Sequence, residues 1–101
     1  MRDKVYTLDE IKTIAVPIAR RYNLAALYLF GSYARGEATP TSDLDFRVDR
    51  DGMTDLLELG GLYCDLESGF EKKTDVLTTQ MLSSAFLNRI QPEEVLIYAR
   101  D

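Results

Sequence analysis

The chain begins with an amphipathic pattern that predicts a helix. Thr7 and Glu10 have the spacing of a capping box, the reciprocal pair of hydrogen bonds that starts many helices. Pro17 removes one backbone hydrogen bond, so we expect a bend near Thr13 and a helix end near Asn23. The apolar positions that recur at helical spacing are Leu8, Ile11, Ile14, Ala15, Ile18 and Tyr22.

Shorter apolar patterns predict strands further along. Residues 24–30 form a continuous apolar run, too short for a typical helix, which predicts a buried strand. Residues 43–48 alternate between polar and apolar, which is typical of a strand with one face on the core. Residues 74–77 predict a third strand, and residues 94–98 a final strand or helix. The core-facing positions of the second strand are Leu44, Phe46 and Val48.

Two further helices complete the predicted fold. Residues 53–70 predict a helix, interrupted or closely packed at Gly60-Gly61, because each glycine costs roughly 1 kcal/mol relative to alanine there. Residues 80–89 predict another helix. The mixture indicates an α+β or α/β fold, a sheet covered by helices, and 101 residues suit a single domain spanning 1–101. The apolar stripe of the longer helix is Leu56, Leu59, Leu62, Tyr63, Leu66 and Phe70.

Composition excludes several kinds of chemistry. The chain has one cysteine, Cys64, and no histidine, which excludes an internal disulfide, a Cys/His zinc site and histidine-based catalysis. Twelve basic against seventeen acidic residues give a net charge of −5, which disfavours direct binding of nucleic acid. No apolar run approaches the roughly 20 residues of a membrane span, and Met1–Lys4 lacks a signal-peptide pattern, so we expect a cytoplasmic protein without membrane contact.

Three aspartates form a candidate metal site. Asp43 and Asp45 are two residues apart on a predicted strand, so both side chains leave the same face, with Cα atoms about 6.6 Å apart. Asp75 completes the cluster if its strand pairs beside theirs. Carboxylates suit Mg²⁺, and carboxylates at this separation can bridge two ions some 3.5–4 Å apart. The alternative is that Asp43 and Asp45 only solvate the outer face of the strand.

A glycine turn is the candidate anion site. Gly31 allows close approach of the backbone to a phosphate, and Ser32 begins a short helix whose amides and hydroxyl are donors. Arg35 lies one turn further on and can contact phosphate or brace the loop. Alone, the pair is also consistent with an ordinary strand-to-helix turn. The spacing from Gly31 to Gly36 resembles half a P-loop, but Glu37 stands where that motif needs lysine.

Three other side chains are less informative about function. Arg47 shares the outward face of the second strand, and we expect it to pair with Asp45 rather than contact phosphate. Cys64 is expected on the core side of its helix. Tyr33, inside the glycine loop, is the tyrosine placed to line a nucleotide pocket.

The two motifs together resemble a known signature. Residues 29–37, LFGSYARGE, followed by residues 42–46, SDLDF, are similar to the signature of the polymerase-β-like nucleotidyltransferase superfamily. Within that superfamily, the short chain and the GSYARG form resemble the minimal nucleotidyltransferases of MNT/HEPN toxin–antitoxin modules. The resemblance extends over nearly the whole chain and includes the third acid, Asp75.

The resemblance implies a fold, a site and an activity. The fold would be a mixed sheet flanked by helices. Gly31 and Ser32 would hold the triphosphate of ATP, Asp43 and Asp45 would bind two Mg²⁺ ions, and Asp75 would help activate the attacking hydroxyl. Such antitoxins transfer AMP from ATP to a tyrosine of a HEPN ribonuclease toxin and so neutralise it. Two alternatives stay open: an aminoglycoside-type nucleotidyltransferase for small molecules, and a non-catalytic antitoxin that only masks its partner.

Overall fold

A computed structural model describes residues 4–51 and 55–100 of the chain. They form one mixed sheet with helices packed against it, which confirms the α+β prediction. Among the helices described, none combines the length and apolar character needed to cross a bilayer. In chain order the elements are α1 Leu8–Arg21, β1 Ala26–Phe30, α2 Ser32–Arg35, β2 Leu44–Asp49, α3 Leu56–Phe70, β3 Thr74–Thr78, a 3₁₀ turn Thr79–Met81, α4 Ser84–Ile90 and β4 Val95–Ala99.

The order of strands in the sheet is β3-β2-β1-β4. Strand β1 runs antiparallel to both β2 and β4, whereas β2 and β3 are parallel. Parallel neighbours need a crossover connection, and α3 provides it. The expected pairing of the second and third strands is therefore confirmed, with Asp45 directly opposite Asp75.

One face of the sheet carries the core. Leu44, Phe46 and Val48 of β2 are fully buried, as the alternation predicts. Helices α1 and α3 pack together against this face. The buried residues that these two helices contribute to the core are Ile11, Ala15, Ile18, Ala19, Leu62, Leu66 and Phe70. The opposite face is left to Asp45 and its neighbours, because side chains alternate along a strand.

Helix α1 has the predicted capping box. Thr7 Oγ1 accepts a hydrogen bond from Glu10 N at 3.1 Å, and Glu10 Oε1 accepts from Thr7 N at 2.9 Å. The helix continues through Pro17 as one element and is capped by Tyr22. Asn23 follows with a φ of +52°, which ends the helix where the sequence predicted.

Helix α3 differs in part from its prediction. Its expected first residues, 53 and 54, lie outside the described residues, and α3 begins at Leu56. The predicted core stripe is wrong at Leu56, which is 79% exposed, and at Tyr63. Cys64 is exposed rather than core-facing, because the buried positions Leu62, Leu66 and Phe70 recur every four residues and leave residue 64 on another side.

Gly61 of the glycine pair in α3 marks close packing rather than a break, whereas Gly60 has open space beside it. A Cβ at Gly61 would lie 2.8 Å from Tyr22 Oη, so the helix continues there against α1. The helix predicted over residues 80–89 is partly wrong: a 3₁₀ turn comes first, and α4 starts after Ser83, whose Oγ accepts from Phe86 N. The last segment is a strand, β4.

The capping box gives a direct stability test. Thr7→Ala removes the acceptor for Glu10 N, and we expect the free energy of unfolding to fall by about 1 kcal/mol. Thr13→Ala is the matched control in the same helix, because the Thr13 hydroxyl only bonds back to Asp9 O. Chemical denaturation measures both variants. Equal losses for the two variants would contradict the assignment of the cap.

Candidate active site

The turn after β1 places backbone against an acid. Gly31 has a φ of +79°, a conformation that other L residues rarely adopt, and α2 starts at the next residue, Ser32. A Cβ at Gly31 would overlap Asp45 Oδ2, so only glycine lets the turn pack against this carboxylate. Gly36 ends α2 with a φ of +75° and has open space around its Cα.

Strand pairing brings two of the three predicted acids together. Asp45 lies opposite Phe30 at the end of β1 and opposite Asp75 on β3. Asp43 precedes β2, and its Oδ2 lies 4.0 Å from Lys73 Nζ. The structure therefore unites Asp45, Asp75 and the glycine turn, with Asp43 at the adjoining end of the strand.

The electrostatics of Asp45 reflect this crowding. Burial is the largest cause that raises the pKa of Asp45, to about 7, followed by the hydrogen bond with the Asp75 carboxyl. The negative charges of Asp75 and Asp43 raise the pKa further, whereas the guanidinium of Arg35 lowers it. In the metal-free protein, Asp45 is thus partly protonated near neutral pH.

The acid pair fits a magnesium ion that has further ligands. Among residues 4–51 and 55–100, no group of three or more His, Cys, Asp or Glu side chains is arranged to hold a metal by itself. Mg²⁺ commonly takes one or two carboxylates and completes its shell with water and substrate phosphate. Asp45 and Asp75 supply such a pair, and a cation would relieve their repulsion. The wider ligand set that includes Asp43 stays a prediction.

Arg35 braces the glycine turn with a residue that the sequence reading missed. Its Nε donates to Glu37 Oε1 at 2.9 Å, and its Nη1 donates to Glu93 Oε1 at 3.2 Å. Glu93 Oε2 also accepts from Gly31 N at 2.7 Å. Glu93 stands in a turn far along the chain, and no local pattern distinguishes it from a solvated glutamate.

The prediction for Arg47 is wrong. Arg47 is 5% exposed and forms a two-pronged ion pair with Glu94, Nε to Oε2 at 2.6 Å and Nη2 to Oε1 at 2.8 Å. Its guanidinium also lies 4.2 Å from the ring centroid of Tyr28. The outward face of β2 is covered here by the turn before β4, so Arg47 meets Glu94 instead of Asp45.

Tyr33 belongs to the core and does not line a nucleotide pocket. It is 6% exposed, and burial raises the pKa of its hydroxyl. The strand-to-helix turn directs this side chain inward while the backbone of the turn faces Asp45.

An open cavity of about 510 Å³ lies at the end of α3. Lys73 lies on its wall and also approaches Asp43, so the cavity adjoins the acid end of β2. Lys72 Nζ donates to Pro40 O at 2.7 Å and to Ser42 O at 3.0 Å, which fixes the loop before Asp43. The lining residues are Cys64, Glu67, Ser68, Glu71, Lys72 and Lys73.

A glycine turn packed on paired carboxylates, in this mixed sheet, has the arrangement of a nucleotidyltransferase. Residues 12–101 match the family described as polymerase beta, nucleotidyltransferase. The chain belongs to this family, which confirms the resemblance read from the two motifs. The roles of the individual site residues stay predictions.

Relatives of similar length are named protein adenylyltransferases. A protein of Methanocaldococcus jannaschii, provisionally named a protein adenylyltransferase, is 36% identical over 88 residues, covering 87% of this chain and 95% of the relative. The protein adenylyltransferase MntA of Thermococcus cleftensis is 30% identical over 95 residues, covering 90% of this chain and 96% of the relative.

Solved structures share the fold. A crystal structure of a toxin–antitoxin with AMP-PNP superposes with a TM-score of 0.78 at 21% identity, covering 89% of this chain and 74% of that chain. A tri-AMPylated Shewanella oneidensis HEPN toxin in complex with an MNT antitoxin gives 0.73 at 18% identity, covering 93% and 74%. At these identities the likeness concerns the fold alone.

The contact between Gly31 and Asp45 predicts unequal effects for two glycine substitutions. We expect Gly31→Ala to destabilise the fold by about 1–3 kcal/mol, because it adds steric overlap to an unfavourable φ. Gly36 has a left-handed conformation, with φ +75° and ψ +23°, that other residues adopt more readily than the φ +79°, ψ −156° of Gly31. Gly36 also has open space around it, so about 1 kcal/mol is expected for Gly36→Ala. Urea denaturation measures both variants.

A double variant then isolates the overlap. Combining Gly31→Ala with Asp45→Ala removes the clashing carboxylate, so the two losses should be clearly non-additive. Simple additivity in the same denaturation assay would mean that the two residues do not touch.

The raised pKa of Asp45 predicts how stability depends on pH without metal. The folded protein holds this proton up to about pH 7, whereas the unfolded chain releases it near 3.8. The contribution of Asp45 is therefore present below about pH 4 and is lost as pH rises toward 7. Unfolding measured in EDTA should show a steeper decline over this window for wild type than for Asp45→Asn.

The same comparison has an internal control. Asp9→Asn alters an exposed carboxylate in the first turn of α1, remote from the site, and should keep the wild-type slope. An Asp45→Asn profile parallel to wild type would show that Asp45 titrates normally.

Proposed function

We propose that this chain is a protein adenylyltransferase that acts as an antitoxin in the cytoplasm, as a single domain of residues 1–101. It transfers AMP from ATP to a tyrosine hydroxyl of a HEPN ribonuclease toxin and thereby neutralises the toxin. The observation that carries the proposal is the packing of the Gly31 turn directly against the paired carboxylates of Asp45 and Asp75. This arrangement places an anion-binding turn beside ligands for a divalent cation.

The relatives support the nature of the transferred group and its acceptor. Proteins at least 30% identical over about nine-tenths of this chain are named protein adenylyltransferases. Solved structures with the same fold contain AMP-PNP, or a HEPN toxin that carries AMP groups.

Each residue of the site has a separate role in the proposed reaction. Ser32 and Arg35 bind the triphosphate at the start of α2, and Gly31 keeps the backbone close to the acids. Asp43, Asp45 and Asp75 would hold Mg²⁺, which when bound would neutralise phosphate charge and lower the pKa of the acceptor hydroxyl. Asp75 orients that hydroxyl and takes its proton. The bond from the tyrosine oxygen to the α-phosphorus forms as the bond to the leaving diphosphate breaks.

One labelling experiment tests the proposal. The protein is incubated with Mg²⁺, ATP labelled on the α-phosphate, and the HEPN protein encoded beside its gene. We expect label on a tyrosine of the HEPN protein and loss of its ribonuclease activity. Label only on an added aminoglycoside would favour a small-molecule enzyme. Tight binding that inhibits the ribonuclease without label would favour a masking antitoxin. Either result would overturn the proposal.

Substitution of the acids tests the site. We expect Asp45→Asn and Asp43→Asn each to lower AMP transfer by about a hundredfold or more, because the cation loses a charged ligand. Asp45→Asn should keep or gain stability in metal-free buffer, so lost activity cannot come from unfolding. Asp51→Asn, an exposed acid paired with Arg100, is the control and should transfer AMP at the wild-type rate. Retention of more than a small fraction of activity in the Asp43/Asp45 double variant would refute the metal assignment.

A further inference from the structure

Two consecutive glutamates before β4 point to different parts of the molecule. Glu93 Oε2 accepts from Gly31 N at 2.7 Å, and both of its carboxylate oxygens lie within 3.3 Å of Arg35 Nη1. Glu94 points to the sheet, where its two carboxylate oxygens accept hydrogen bonds from Arg47. One turn therefore contacts both the glycine turn and the strand that carries Asp45.

The Glu94 contact anchors this turn to β2. The Arg47 and Glu94 side chains are each 6% exposed, so their ion pair is shielded from water. Arg47 Nη1 also donates to Thr79 Oγ1 at 2.8 Å, which fixes the guanidinium from a third side. The backbone amides of Glu93 and Glu94 both donate to Ile90 O, at 3.0 and 3.1 Å. Glu93 is thus presented from a constrained backbone.

These contacts form a closed ring around the site. Arg47 stands two residues after Asp45 on β2, and Asp45 packs against Gly31. The Gly31 amide donates to Glu93, and the next residue, Glu94, pairs with Arg47. A displacement of the glycine turn away from the acids would have to break the Glu93 contacts.

We propose that Glu93 is a positioning residue for nucleotide binding. It holds the Gly31 amide and the Arg35 guanidinium so that the turn and the arginine are already in place for the triphosphate. The inference rests on the proposed function only in taking the ligand of the turn to be a nucleoside triphosphate. Arg35 retains donors for phosphate, because the contacts with Glu37 and Glu93 use Nε and Nη1 of a group with five N–H donors.

Binding and transfer are measured separately to test this role. Calorimetry with Mg²⁺ and AMP-PNP should show about tenfold weaker binding for Glu93→Ala than for wild type, since a charge-assisted hydrogen bond to the turn is lost. Glu93→Gln should recover much of the affinity, because its amide oxygen can still accept from Gly31 N. In the transfer assay, KM for ATP should rise while kcat changes less.

Controls separate positioning from general stability. Glu58→Ala removes a glutamate of α3 that pairs with Arg50, and the nucleotide affinity of this variant should equal that of wild type. Glu37→Ala removes the other carboxylate on Arg35 without touching Gly31, and it should weaken binding less than Glu93→Ala. If Glu93→Ala does not fold, Glu93→Asp replaces it, because the shorter side chain cannot bridge both partners and should also weaken binding.

The outcomes decide between the inference and its competitors. Unchanged affinity in folded Glu93→Ala, or in Glu93→Asp where that variant replaces it, would mean that Glu93 does not contribute to nucleotide binding. Tighter binding would mean that Glu93 competes with phosphate. Either result would overturn the proposal. Calorimetry needs no acceptor protein. If Glu93→Ala binds AMP-PNP more weakly as expected but no label reaches the HEPN protein, the role of Glu93 is supported and the proposed function is contradicted.

Discussion

The site depends on one contact, in which the backbone at Gly31 lies against the carboxylate of Asp45. This contact requires a residue without Cβ and with a positive φ, and it fixes how far the anion-binding turn lies from the acids. Antiparallel pairing of β1 with β2 sets the contact, because Phe30 is opposite Asp45 and Gly31 is the next residue. Packing of the sheet against α1 and α3 therefore maintains the spacing on which phosphate and metal binding would both rely.

The acids at this contact add to the negative charge of the chain. A chain with a net charge of −5 that gathers carboxylates in a half-buried site would repel an anionic substrate. Arg35 offsets part of this repulsion, but Glu37 and Glu93 already engage it. A divalent cation bound by the acids would make the site attractive to the triphosphate of the proposed substrate. In the protein alone, burial raises the pKa of Asp45 most, and the neighbouring acids raise it further.

Short-range patterns predicted most of the fold and the first members of the site. The capping box of α1, the alternation of β2 and the apolar run of β1 each depend on neighbouring residues, and each is confirmed. The prediction for Cys64 was wrong because the buried positions of α3 fall at Leu62, Leu66 and Phe70 and leave residue 64 on another side of the helix. The prediction for Arg47 was wrong because its partner Glu94 lies 47 residues further along the chain. Glu93 was missed for the same reason: 62 residues separate it from Gly31, and only the docking of β4 beside β1 brings them together.

The parallel pairing of β2 with β3 has a consequence for how the protein acquires its activity. Residues of a β hairpin can meet early, since little chain entropy opposes them, but Asp75 reaches Asp45 only after a 15-residue helix has crossed the sheet. Glu93 depends on a still longer closure. Partly folded chains, including those still emerging from the ribosome, would therefore lack a competent centre, and modification of a partner would await completion of the whole domain.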